Sequence, residues 1–127
     1  MKLFYSPFHG FIHKVLVTIH EAGLWEDVTF VATYPFRNRD GVEQGDRYSL
    51  RSINPLDKVP TLVTDDWQVI YGSEPVCQYL DAMSRANHLY PEAGPARWDA
   101  LRRHDRAQTF FENTVTMNME GWRPDEE

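Results

Sequence analysis

Apolar positions in the first ninety residues change period several times, and each change marks an element. Lys2-Leu3-Phe4-Tyr5 is a short strand candidate ended by Ser6-Pro7. From about Gly10 the spacing turns helical: Phe11, Ile12, Val15, Leu16, Ile19 and Ala22 follow the i, i+3, i+4, i+7 rule, and Gly23 is placed as a C-terminal stop. Asp27 to Thr33 is β-rich, so a second strand follows and would lie parallel to the first through a crossover. Tyr34 to Asn54 is polar, with Arg37, Arg39, Asp40, Gly41 and Gly45, and reads as a mobile loop with a short helix near 46–53. Pro60-Thr-Leu-Val-Thr and Gln68-Val-Ile-Tyr flank Asp65-Asp66-Trp67, the pattern of an antiparallel hairpin. Ser73 then stands as the N-cap of a helix with the stripe Val76, Tyr79, Leu80 and Met83; Pro75 falls in its first turn, where a missing N–H is harmless. Residues 95–120 form one long helical candidate carrying Trp98, Leu101, Phe110, Phe111 and Val115. The order is β-α-β-(α)-β-β-α followed by a helix.

Composition adds scale to this outline. The 127 residues fit one domain of ordinary size with a short appendage, and 42% hydrophobic with 13% aromatic residues supports a folded core. A formal net charge of −6 argues against a nucleic-acid partner, whose binding needs Lys and Arg to neutralise phosphates. Arg102, Arg103 and Arg106 alternate with Asp99 and Asp105 at helical spacing, which reads as a solvated face. No stretch approaches the length of a membrane span, and Ser6, His9, His13 and Lys14 interrupt any apolar signal segment. The single cysteine, Cys77, excludes an internal disulfide and a C-x-x-C redox motif; a cytoplasmic location is expected.

Three features carry candidate chemistry. His9 falls at the junction of the first strand and helix, where a neutral imidazole could donate a hydrogen bond; the helix dipole disfavours its cation there. Ser73 begins a helix, where orphan N–H groups suit a carboxylate. His9, His13 and His20 recur along one helix, but no Asp, Glu or Cys nearby completes a tetrahedral set, so no metal is expected. Cys77, beside an apolar stripe, reads as a small core residue.

The residues also resemble the glutathione S-transferase superfamily, whose N-terminal domain is thioredoxin-like. "M-K-L-F-Y-S-P" with "K-V" and "H-E-A-G-L" resembles the first strand and helix of bacterial members. "N-P-L-D-K-V-P-T-L" (54–62) is similar to the family's N-P-x-x-K-V-P-x-L, and "G-S-E-P-V-C-Q-Y-L" (72–80) to its [E/Q/D]-S-x-x-I-x-x-Y-L. The resemblance implies an α/β fold: a thioredoxin-like glutathione-binding domain over 1–86, a linker over 87–94, and the start of an all-helical domain over 95–127. Several further helices of that domain, much of the electrophile pocket and most of the dimer interface would then be missing. Helix faces left uncovered predict a homodimer or other oligomer, partner binding or marginal stability.

The resemblance further implies binding of glutathione as co-substrate and attack of its thiolate on a small hydrophobic electrophile, in the manner of a detoxifying transferase. A cis Val59-Pro60 bond would free the Val59 backbone for the cysteinyl unit. Ser73 would hold the γ-glutamyl carboxylate and Lys58 the glycyl carboxylate. Gly72 departs from the usual acidic or amide residue, a role for which Glu74 is the substitute. Bacterial members place Ser or Cys where this chain has His9, while "Y-S-P-F-H-G-F" resembles the Tyr-x-x-x-Arg-Gly stretch of tyrosine-type classes. Tyr5, Ser6 and His9 therefore all stand as thiol-tuning candidates. The alternatives are a non-catalytic glutathione-binding or protein-interaction module and a folded fragment of a longer enzyme.

Overall fold

The computed structural model of the protein describes residues 1–33 and 47–121. Its elements run β1 (Lys2–Tyr5), α1 (Phe11–Glu21), β2 (Thr29–Ala32), α2 (Arg47–Ile53), β3 (Thr61–Val63), β4 (Val69–Tyr71), α3 (Ser73–Ala82) and α4 (Gly94–Glu120). This is the order that hydrophobic periodicity predicts, and it is the mixed α/β arrangement of a thioredoxin-like domain followed by a helix. The loop expected over 34–46 lies outside the described residues.

The four strands form one sheet in the order β2-β1-β3-β4. β1 and β2 are parallel, with Leu3 opposite Phe30 and Tyr5 opposite Ala32. The other pairings are antiparallel, Phe4 facing Thr61 across β1–β3 and Thr61 facing Tyr71 across β3–β4. Side chains alternate between the two faces. Phe4, Val59 and Val63 form a buried cluster with Leu50 of α2, and Val31, Ile53 and Val69 pack against it. Leu3 and Leu62 are fully buried at the alternating positions. On the α3 side, α3 packs on β3, β4 and α1, burying Val76, Cys77 and Leu80 beside Ile12, Val15 and Ile19 of α1. Each such buried aliphatic side chain contributes roughly 1.5–3 kcal/mol by leaving water.

The stop of α1 follows from Gly23. Its φ of +67° lets the Leu24 N–H reach the Ile19 carbonyl and its own N–H reach the His20 carbonyl, both at 3.0 Å. This paired cap satisfies carbonyls that a helix end leaves open, and Leu24 is buried behind it. β2 is shorter than the stretch 27–33 suggested, because Trp25–Asp27 coils into a 3-10 turn first. In the β3–β4 hairpin, Trp67 donates to the Thr64 carbonyl at 3.1 Å and takes φ +64° while 81% exposed. That is the left-handed position where hairpins usually carry glycine.

The chain divides into two compact units, Met1–Leu89 and Tyr90–Glu127. Within the first, the segment after α3 is tied back by the Arg85 N–H to the Ala22 carbonyl (3.0 Å) and by an Arg85–Asp27 ion pair (2.9 Å). Buried Asp81 accepts the Leu89 N–H there. In the second unit, Asp99 of α4 pairs with Arg102 at 2.6 Å and Arg103 at 2.8 Å, the solvated face expected of that stretch. Trp98, Phe110 and Met117 of α4 are exposed. Among the described residues, no helix is long and apolar enough to cross a membrane.

Candidate functional site

The sheet register brings three segments to one end of the sheet. One step past the Phe4–Thr61 pair lie Tyr5 and Pro60, and one step past the Thr61–Tyr71 pair lie Pro60 and Gly72. Gly72 N–H donates to the Pro60 carbonyl at 3.3 Å, which continues the row beyond the strands. The end of β1, the Val59–Pro60 segment and the start of α3 are therefore neighbours. The Val59–Pro60 peptide bond is cis.

α3 starts without a connecting loop. β4 ends at Tyr71, and Gly72 alone turns the chain, with φ +90° and ψ 133°. Gly72, not Ser73, is consequently the N-cap: Ser73 is the first residue inside the helix, and no side-chain cap forms. The expectation of a Ser73 cap is corrected by one position, because the strand-to-helix turn needs a backbone that only glycine adopts readily. The first backbone bond of the helix runs from Val76 N–H to the Gly72 carbonyl at 3.2 Å. The first amides of any helix have no carbonyl one turn earlier to accept them, and Pro75 has no N–H. Ser73 is buried. The Glu74 carboxylate accepts from Gln78 Nε2 at 3.2 Å, which directs it along α3.

His9 and Ser6 belong to the turn between β1 and α1. His9 N–H donates to the Ser6 carbonyl at 3.2 Å, and the His9 carbonyl accepts from Ile12 N–H at 3.0 Å, so the turn runs directly into α1. Gly10 caps the helix and places His9 just outside it. The imidazole is half-buried and stacks on Phe11, ring centres 5.3 Å apart. Burial lowers its pKa below the ordinary 6.5, which favours the neutral ring at pH 7. Ser6 is buried. The Tyr5 ring packs edge-on against Phe30, with centroids 5.9 Å apart, and Phe30 in turn touches Trp25 at 4.8 Å. Phe30 belongs to β2, on the far side of β1 from β3. Tyr5, Ser6, His9, Val59, Pro60 and Ser73 thus share the sheet end, Lys58 extends from it as an exposed side chain, and the Glu74 carboxylate is engaged by Gln78.

Two residues not anticipated from the sequence organise this end. Asn54 is fully buried, and its Nδ2 donates to the Lys58 carbonyl at 3.0 Å and to Thr61 Oγ1 at 2.8 Å. Thr61 Oγ1 donates to the same Lys58 carbonyl at 2.8 Å. Asn54 Oδ1 accepts from Leu56 N–H at 3.0 Å, and the Asn54 carbonyl from Asp57 N–H at 2.9 Å. The sequence signal was Asn54-Pro55, a turn-forming pair. Cys77 is buried in α3, and burial raises its thiol pKa, consistent with a core residue. Among the described residues, no group of three His, Cys, Asp or Glu side chains is placed to hold a metal ion.

Comparison with known proteins gives this arrangement its setting. Residues 8–83 match the family described as glutathione S-transferase, N-terminal domain. The chain is 30% identical over 91 residues to an uncharacterised GST-like protein, YibF, of Escherichia coli K12, covering 72% of this chain and 40% of that protein. A glutathione transferase family member from Pseudomonas fluorescens Pf-5, solved with bound glutathione, is 31% identical with a TM-score of 0.77, over 91% of this chain and 53% of that one. A glutathione S-transferase from Methylobacillus flagellatus KT, also with glutathione bound, is 28% identical with a TM-score of 0.82, over 98% and 56% respectively. The chain spans about half the length of these relatives or less. With a family match over more than half of its residues, the chain belongs to the glutathione S-transferase N-terminal domain family.

Proposed function

We propose that the protein binds glutathione at the sheet end shared by β1, Val59–Pro60 and α3, and that it is the glutathione-binding part of a transferase. The observation that carries this reading is the adjacency of the Val59–Pro60 segment, which leads directly into β3, to the start of α3. An extended tripeptide needs both: main-chain partners for its middle and a positive, N–H-rich terminus for its γ-glutamyl carboxylate. Ser73 supplies a hydroxyl and an amide at that terminus, and Lys58 offers a cation to the glycyl carboxylate. Glutathione bound in two similar structures supports the ligand.

The thiol of glutathione so placed would lie near the β1–α1 turn. His9 is the donor this reading favours, because burial keeps its ring neutral and a neutral imidazole can donate to sulfur without carrying charge. The contact of the Tyr5 ring with Phe30 weighs against Tyr5 in that role. The reaction class is thiolate attack on a small hydrophobic electrophile: a carbon–sulfur bond forms and the electron pair leaves with the departing group or enters the acceptor. The 1–86 boundary for the binding domain and a homodimeric assembly in the cytoplasm belong to the same proposal.

Calorimetric titration with glutathione tests the reading. Ser73→Ala should weaken binding by about tenfold or more, the effect of losing a hydrogen bond to a charged group. Equal affinities in wild type and Ser73→Ala would remove α3 from the site.

A further inference from the structure

The Lys58–Val59–Pro60 segment is held by neighbours that the family reading leaves without a task. Its geometry depends on a closed triangle of polar groups. Asn54 Nδ2, Thr61 Oγ1 and the Lys58 carbonyl are joined by bonds of 3.0, 2.8 and 2.8 Å, with Asn54 and Thr61 both fully buried. Thr61 belongs to β3 and pairs with both Phe4 and Tyr71, so it is fixed by the centre of the sheet. Asn54 follows α2 directly, its N–H donating to the Leu50 carbonyl at 2.8 Å. The triangle therefore connects the rigid sheet to the end of α2 across the segment that carries Val59.

We propose that Asn54 and Thr61 are positioning residues that orient the Lys58–Pro60 backbone for its ligand, and this rests on the glutathione reading above. The chemistry is selective for these two side chains. The asparagine amide gives two donors and one acceptor, matching the Lys58 carbonyl, Thr61 Oγ1 and the Leu56 N–H. A carboxylate at position 54 would set acceptor against acceptor at the Lys58 carbonyl. The threonine hydroxyl both accepts from Asn54 and donates to Lys58, which neither valine nor alanine can do. With the carbonyl of Lys58 fixed from two sides, the next peptide unit has little freedom to rotate, and Val59 meets a ligand already in place.

Thr61→Val and Thr61→Ser separate positioning from bulk stability. Valine keeps the buried volume and removes the hydroxyl; serine keeps the hydroxyl and removes a buried methyl. The expected result is that glutathione affinity follows the hydroxyl, falling about three- to tenfold in Thr61→Val and staying within about twofold in Thr61→Ser. Thermal stability should not follow the same order, since serine also loses buried apolar contact. Asn54→Asp should weaken binding more than Thr61→Val. Amide hydrogen exchange on the ligand-free proteins supplies the second reading: in Thr61→Val the Leu56 and Asp57 amides should exchange faster, with Leu3 and Val15 unchanged. Affinity that tracks melting temperature across the series, or exchange that quickens uniformly, overturns the proposal. A wild-type chain that binds no glutathione overturns the reading of the ligand instead, and the exchange rates then decide the positioning claim alone.

Discussion

His9 shows how one half-buried ring links site chemistry to acid sensitivity. Burial costs the imidazolium more than the neutral ring, so the native pKa lies below the 6.5 of an exposed imidazole. Between those values the unfolded chain binds more protons than the native one, so stability rises with pH through the window. The contribution of the neutral ring is complete above 6.5 and is lost as pH falls towards the lowered native value. Chemical denaturation of wild type and His9→Gln from pH 7.5 to 5 should show a smaller loss of stability in the variant; parallel curves would remove burial as the cause. The sequence pointed to a neutral His9 through the helix dipole, whereas Gly10 caps α1 and desolvation is what lowers the pKa. Asn54 was not legible at this scale. An asparagine before proline announces a turn, but its burial and its bond to Thr61 come from tertiary packing that no local pattern contains.

Elements were legible wherever period and punctuation agreed. Phe11 to Ala22 has helical spacing and Gly23 closes it, and the structure stops α1 there. At the β4–α3 junction two signals competed: Ser73 has the side chain of an N-cap, and Gly72 has the backbone freedom. Backbone freedom wins because a one-residue connection must reverse direction at once, and φ +90° with ψ 133° is open to glycine alone at low cost. A Cβ at position 72 would also stand 3.4 Å from Pro75 Cδ, at the near limit of ordinary contact. Gly72→Ala should therefore destabilise the fold by about 1–3 kcal/mol, measured as a lower denaturant midpoint with an unchanged slope. An unchanged midpoint would mean that the junction relaxes to a conformation alanine accepts.

At the scale of the molecule, the order of elements, the parallel β1–β2 pair and the antiparallel β3–β4 hairpin were readable because they follow from alternation, helical period and turn residues in sequence. The bonding that organises the site end was not, since it joins the end of α2 to β3 through side chains seven residues apart. The first unit closes on itself through two packed helices, α1 and α3, with the lone cysteine of the chain between their apolar stripes. That placement makes Cys77 a clock. Its thiol can meet a reagent only when the two helices part, and burial further suppresses the reactive thiolate. Alkylation of the native protein should run about a thousandfold or more slower than in denaturant, and the ratio of the two rates measures how often this helix pair opens. Labelling that slows further when glutathione is added would mean that occupying the start of α3 holds the helix pair closed at Cys77, four residues along, turning a buried sulfur into a gauge of ligand binding.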